Sequence, residues 1–176
     1  MIKVYRYVIY AILIIGTCGC YMYKPSFTLL DYTWSSSWQY SYSLKVDDQG
    51  KAFLRKNNLK TDSFFVRTKI NLNELNILMK EIDKAKLDSQ YIQDNIQDAP
   101  SFKVMIYPER ALPSQYKVYG DNYPRQLKKL EDYCRMLSEK QGWLYLKDTI
   151  IDFESREKQF QSHVKGIHFP PPEEKQ

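Results

Sequence analysis

The sequence predicts an α+β fold: an antiparallel sheet built from two ββα-like units, with both helices on one face of the sheet. Two observations support this. Segments in which apolar and polar residues alternate occur in pairs, as in antiparallel hairpins. After each pair comes a segment whose apolar residues recur every three or four positions, as in an amphipathic helix. Each helix can therefore cover one face of the preceding hairpin.

The clearest strand reads WQYSYSLKV, in which large apolar side chains occupy every second position. A DDQG turn, where Gly50 can adopt a positive φ, leads into the returning strand. The first helix has Asn71 as its N-cap and Glu74 three positions later, the spacing of a capping box. We expect strands at 38–46, 51–56, 64–70, 102–107 and 115–120, helices at 72–86 and 124–141, a further strand within 143–151, and weak helical character at 153–164.

The 176 residues suffice for one domain with a core of its own. We divide the chain into a leader at 1–20, a tether leading into the domain at 21–37, a single α+β domain at 38–151, and a weakly structured C-terminal extension at 152–176. The extension ends in FPPPEEKQ, a composition typical of tails without regular structure.

The leader has the layout of a secretory signal. Lys3 and Arg6 are followed by an apolar stretch and then by the small residues GTCG, directly before Cys20. This arrangement resembles a bacterial lipoprotein signal, in which a small residue precedes the cysteine that is lipidated and becomes the new N-terminus. The resemblance implies lipidation at Cys20, although Thr17 stands where such signals usually carry a larger aliphatic residue.

Two other interpretations of the leader remain open. The 17 uncharged residues from Tyr7 to Tyr23 reach the lower limit for a membrane-spanning helix, so this segment can also be an uncleaved signal anchor. The remaining interpretation is cleavage and full secretion. All three place the domain outside the cytoplasm, in the cell envelope facing the periplasm or the cell exterior.

The residues favour no catalytic, metal or cofactor site. The formal net charge is +5 and the lysines are interspersed with acids, so the surface is not that of a nucleic-acid-binding protein. Cys134 is the one cysteine of the domain, and it lies on an apolar helix face, as a core residue does. His163 and His168, five positions apart in the extension, do not have the spacing of a metal-binding helix. We therefore predict no enzymatic activity, no metal and no cofactor.

The sequence offers one candidate binding surface, formed by Trp34, Trp38 and Tyr40. The alternation places Trp38, Tyr40 and Tyr42 on one strand face, where they form either a buried core stripe or a stacking platform for a sugar or peptide. Trp34 lies outside the regular run and is the candidate for an exposed anchor, since Trp and Tyr are enriched at interface hot spots.

Residues from about Tyr40 to Trp143 resemble a family of small uncharacterised α+β domains found in Bacteroidetes-type envelope lipoproteins. The matching features are the hairpin SYSLKVDDQGKAFL, the segment LDSQYIQDNIQDAPSFKVMIY, and YKVYG followed by Pro124 and a Leu-rich helix. The function of the family is unknown, so the resemblance implies a fold and a location only.

Together these observations predict a membrane-anchored, non-catalytic module that binds another protein in the envelope. Its sharpest form is an immunity or inhibitor protein that neutralises a toxin delivered by a competitor. The alternatives are a structural accessory lipoprotein of an envelope complex and a small hydrolase acting on envelope polymers.

Overall fold

The computed structural model describes residues 25–36, 40–58 and 61–156. These residues form one eight-stranded sheet and two helices. In chain order the elements are β1 (Phe27–Ser36), β2 (Tyr40–Asp47), β3 (Ala52–Asn58), β4 (Thr61–Arg67), α1 (Asn73–Ala85), β5 (Gln90–Ile92), β6 (Pro100–Pro108), β7 (Ser114–Tyr119), α2 (Arg125–Glu139) and β8 (Leu144–Leu146). The strands lie side by side in the order β5-β7-β6-β1-β2-β3-β4-β8. Neighbouring strands are antiparallel, except that β5 and β7 are parallel.

The prediction of an α+β fold is confirmed, with strands forming the larger part of the domain. Four strands precede α1, three lie between the two helices, and β8 follows α2. Each helix follows an antiparallel hairpin, β3–β4 in the first case and β6–β7 in the second. The sheet is therefore wider than the two predicted hairpins alone would make it.

The strand β1 is the main departure from the predicted layout. It lies at the centre of the sheet, paired with β2 on one side and with β6 on the other. The assignment of residues 21–37 to a tether is therefore wrong for Phe27–Ser36. Leu30, Tyr32 and Trp34 alternate with polar residues, and the acidic Asp31 occupies one of the polar positions of this short run. In the structure that acid is buried, through contacts that the sequence does not reveal.

The apolar core involves one face of the sheet. Tyr32 is paired with Leu44 on β2 and with Val104 on β6, and Leu44 is paired with Leu54 on β3. These four residues are fully buried and belong to one apolar cluster that also contains residues of both helices. The helix residues in the cluster are Leu75, Leu78, Met79 and Ile82 of α1 and Leu127, Leu130, Tyr133, Cys134 and Leu137 of α2. The predicted burial of the cysteine is confirmed, and burial raises the pKa of its thiol.

Two local predictions have different outcomes. Asn71 does not cap α1, because the N-cap position is Leu72. Asn71 Oδ1 instead accepts a hydrogen bond from the backbone N–H of Asn73 at 2.9 Å.

The turn before β3 does use its glycine as expected. Gly50 has a φ of 77°, and a side chain there would collide with the carbonyl of Ile70, so no other residue suits this turn as well.

Several predictions fall outside the described residues, namely those on Cys20, Trp38, His163 and His168. Of the helix expected at 153–164, the described part reaches Arg156 and contains a turn. Residues 90–92, for which no strand was predicted, form the short edge strand β5. Among the helices that the structure describes, none has the length and apolar character needed to cross a membrane.

Candidate functional site

The sheet has two ends, which we call proximal and distal. At the proximal end the chain enters β1 at Phe27, which is paired with Pro108 at the end of β6. At the distal end Ser36 is paired with Tyr40 on β2 and with Pro100 on β6. The 10 residues of β1 separate the two ends by about 30 Å at the usual rise per strand residue.

Three aromatic side chains gather at the distal end: Trp34 of β1 and Tyr40 and Tyr42 of β2. The Trp34 ring stacks on Tyr42 with centroids 5.7 Å apart, and its centroid lies 6.2 Å from that of Tyr40. Tyr42 is buried, Trp34 is half-buried, and Tyr40 is 36% exposed. We call these three residues the aromatic cluster. The structure thus brings together two of the predicted binding residues, while Trp38 lies outside the described residues.

Helix α2 holds the indole of Trp34 in place. Trp34 Nε1 donates a hydrogen bond to Glu131 Oε1 at 3.2 Å, and the Tyr123 hydroxyl donates to Glu131 Oε2. The Tyr123 ring in turn packs edge-on against Phe102, with centroids 5.3 Å apart. Trp34 is therefore a fixed, half-buried ring and not a fully exposed anchor. Sequence reasoning does not single out Glu131, because nothing in the helical pattern distinguishes it from the other acids of α2.

The phenols at this end are neutral at physiological pH. Burial raises the pKa of Tyr40, and the nearby Glu139 carboxylate raises it further. Burial, followed by the hydrogen bond to Glu131, raises the pKa of Tyr123 well above its ordinary value. Each phenol can stack and can form hydrogen bonds, and neither serves as a base near neutral pH. This chemistry suits recognition of a partner better than proton transfer.

A second cluster lies on the opposite face of the sheet, where the C-terminal strap, Asp152–Arg156, crosses the strands. Asp31 is fully buried there and accepts hydrogen bonds from the Ser155 hydroxyl at 2.5 Å and from the Glu154 backbone N–H at 2.8 Å. Lys45 Nζ lies 3.3 Å from the same carboxylate and donates to a strap carbonyl at 2.8 Å. The strap is therefore attached to the sheet through a buried acid.

The polar network continues to Arg55, whose side chain is 2% exposed. Arg55 donates from Nη1 to Asp62 at 2.7 Å and from Nε to Ser43 at 3.2 Å. Asp62 also accepts hydrogen bonds from Asn57 at 2.7 Å and from Arg156 of the strap at 3.2 Å. Burial alone would raise the pKa of Asp62, but the hydrogen bonds from Asn57 and Arg55 outweigh it and lower the pKa. Because these charged groups bind one another, we interpret the network as a clamp on the strap.

A third feature is the apolar edge at β8, which sequence reasoning did not identify. Leu144 and Tyr145 are 67% and 63% exposed, and Tyr145 contacts the Phe65 ring edge-on at 5.7 Å between centroids. The short β8 segment has no strong alternation that would mark it as a surface patch. Across residues 25–36, 40–58 and 61–156, no group of three or more His, Cys, Asp or Glu side chains is placed to hold a metal ion.

The aromatic cluster is thus the candidate binding site, because it combines an exposed ring with a neighbouring ring fixed by α2. The strap cluster is engaged internally, and the β8 edge offers a second apolar patch. No known protein family, curated protein or solved structure matches this chain.

Proposed function

We propose that this chain is a membrane-anchored, extracytoplasmic, non-catalytic module that binds another protein through the aromatic cluster. One observation carries the proposal. The chain enters the sheet from the leader at the proximal end, and the aromatic cluster lies at the distal end, about 30 Å away. With Cys20 lipidated, the proximal end is held at the membrane and the cluster points away from it, where a partner can reach it.

The aromatic cluster has the physical properties of a protein-contact surface. Tyrosine and tryptophan bury a large area on binding, and they dominate interface hot spots. Trp34 is already fixed by Glu131 and by its stacking on Tyr42, so a partner does not need to order it. Tyr40 adds an exposed ring and a hydroxyl that can reach a polar group of the partner.

We also infer that both helices cover the same face of the sheet, as expected for two hairpin-and-helix units. In support, the buried apolar residues of α1 and α2 share one cluster with Tyr32, Leu44 and Leu54, which are paired across three neighbouring strands and so lie on a single face. An ion pair of 2.8 Å between Lys129 and Glu81 joins the two helices. The opposite face is then left to the strap.

The partner that we favour is a toxin delivered by a competing cell, which would make this chain an immunity protein. The alternative is a stable component of an envelope complex to which the chain contributes structurally. The two differ in one consequence. Deletion of the gene sensitises cells to a delivered toxin in the first case and disrupts a resident complex in the second.

Affinity capture from solubilised membranes, followed by mass spectrometry, tests the proposal. We expect acylated Cys20 and a specific partner that Tyr40→Asp no longer captures, since loss of a hot-spot side chain weakens binding by about 2 kcal/mol, roughly 30-fold. Tyr40→Phe keeps the ring and should retain the partner. Tyr145→Asp is the matched control, because it alters an exposed aromatic ring at the β8 edge.

The outcomes separate the parts of the proposal. Equal capture by Tyr40→Asp and the wild type would place the contact surface outside the aromatic cluster. A chain recovered from the cytosol with neither an acyl group nor a membrane attachment would contradict the anchored module itself.

A further inference from the structure

We infer that the proximal end of the domain contacts the bilayer surface through the β6–β7 loop, with Leu112 inserted among the lipids. This inference rests on the proposed function, because it requires the leader to anchor the chain. The observation behind it is a juxtaposition: Leu112 is 88% exposed in the loop that lies beside the point where the chain leaves the sheet toward the leader.

The β6–β7 loop and residues 25–26, which precede β1, leave the sheet side by side. Phe27, the first residue of β1, is paired with Pro108, the last residue of β6. Thr28 Oγ1 donates to the carbonyl of Tyr107 at 3.0 Å, which fixes the two strand ends together. The loop, 109–113, therefore projects from the end of the sheet at which residues 25–26 enter β1.

The tether is too short to hold the domain far from the membrane. Four residues separate Cys20 from Pro25, and an extended chain spans at most about 3.5 Å per residue, so Pro25 lies within about 18 Å of a lipidated Cys20. An uncleaved anchor ending at Tyr23 would bring the domain closer still. Tyr21 and Tyr23 are themselves suited to the interfacial zone of a bilayer.

The tip of the loop is apolar, since Ala111, Leu112 and Pro113 are all exposed. Transfer of the leucine side chain from water into the acyl-chain boundary is favourable, and a loop tip can insert while the strands stay outside. The charges around the proximal end are mixed, so they supply little attraction of their own. They include Lys51, Arg67, Lys69 and Arg110 against Asp47, Asp48 and Glu109. We therefore expect the contact to depend on the leucine and not on anionic lipid.

The full chain reconstituted in lipid vesicles tests this inference with an environment-sensitive fluorophore on Leu112→Cys. The matched control is Ile92→Cys, because Ile92 is 49% exposed and is paired with Tyr119 at the distal end. Cys134 is buried and does not compete for the label, and Cys18 and Cys20 are replaced by serine if the leader is retained uncleaved. We expect nitroxide lipids to quench most of the emission at position 112 and little at position 92, in neutral and in anionic vesicles alike.

Sedimentation of the chain with the vesicles is measured on the same samples. If the chain is anchored but the label at position 112 is quenched no more than the label at position 92, the inference is wrong and the proposed function stands. A chain that does not sediment with vesicles would overturn both. Quenching at position 112 that appears in anionic vesicles only would assign the contact to basic side chains and contradict insertion of Leu112.

Discussion

On one face of the central strands, Tyr32 and Leu44 are fully buried among apolar side chains; on the other face, Asp31 and Ser43 are buried to the same degree. Each buried polar residue is the sequence neighbour of a buried apolar one. The apolar pair packs into the core cluster, whereas Asp31 is satisfied by groups of the strap, Ser155 among them. Equal burial is thus reached by two different means.

The two faces differ in what makes burial stable. Apolar side chains gain free energy by leaving water, whichever apolar neighbours they meet. A buried carboxylate costs several kcal/mol unless hydrogen bonds and an opposite charge compensate for it. Asp31 has such partners because Glu154, 123 positions later, returns to it. The stability of the polar face therefore depends on specific hydrogen-bonding partners. The stability of the apolar face depends on how completely the side chains fill the core.

The largest effect that we expect is on the apolar face. Leu44→Ala removes a fully buried side chain between Tyr32 and Leu54, and we expect the free energy of unfolding to fall by about 3 kcal/mol, from lost burial and a residual cavity. Leu44→Met, which keeps the volume, should cost about 1 kcal/mol. Urea denaturation followed by circular dichroism measures both, and Ile150→Ala, at a 90% exposed position, should change stability by less than about 0.5 kcal/mol. Equal losses for the alanine and methionine variants would argue against packing as the cause.

A smaller effect is expected on the polar face. Asp31→Ala should cost about 2 kcal/mol, because it leaves buried donors of the strap without their acceptor. The loss is limited, since the Ser155 hydroxyl still lies 2.7 Å from Thr33 Oγ1 and Lys45 still donates to a strap carbonyl.

A double-mutant cycle tests whether the polar face is stabilised by a specific pair of residues. Asp31→Ala combined with Ser155→Ala should cost less than the sum of the two single losses, by about 1 kcal/mol, because both remove the same hydrogen bond. The same denaturation experiment measures the cycle. Strictly additive losses would show that the hydrogen bond between Asp31 and Ser155 does not stabilise the fold.

The smallest effect concerns acid stability at Asp62. Its pKa is lowered in the folded state, so folding favours the ionised form. This contribution is fully present above the ordinary value of 3.8 and is lost as pH falls through the folded value. Wild-type unfolding temperatures should therefore fall more steeply with acidification near and below pH 3.8 than those of Asp62→Asn. Identical slopes would mean that Asn57 and Arg55 do not stabilise the ionised carboxylate.

The elements with strong periodicity could be predicted from the sequence, and those without it could not. The alternation of WQYSYSLKV and the helical spacing of Leu75, Leu78 and Ile82 correspond to β2 and α1. The strand β1 was missed because its alternation covers only Leu30, Tyr32 and Trp34 and adjoins the leader. The burial of its other face at Asp31 depends on partners from the far end of the chain. The three-residue strand β5 is too short to show a period at all.

The candidate site was predictable in part. Trp34 and Tyr40 were identified from residue type, since aromatic residues dominate interfaces. Their meeting at one end of the sheet follows from the register that pairs Ser36 with Tyr40, and the fixing of the indole follows from the position of Glu131 on α2. Neither fact is visible in a local pattern.

By itself the sequence determined the period of the main strands and helices, and hence the α+β class and the apolar face, because local spacing decides which side chains can leave water together. The tertiary structure decided the central place of β1, the burial of Asp31 and Arg55 and the separation of the proximal end from the aromatic cluster. These depend on hydrogen bonds and strand pairings between residues far apart in the chain. Such contacts have a defined geometry, and only the folded backbone can supply it.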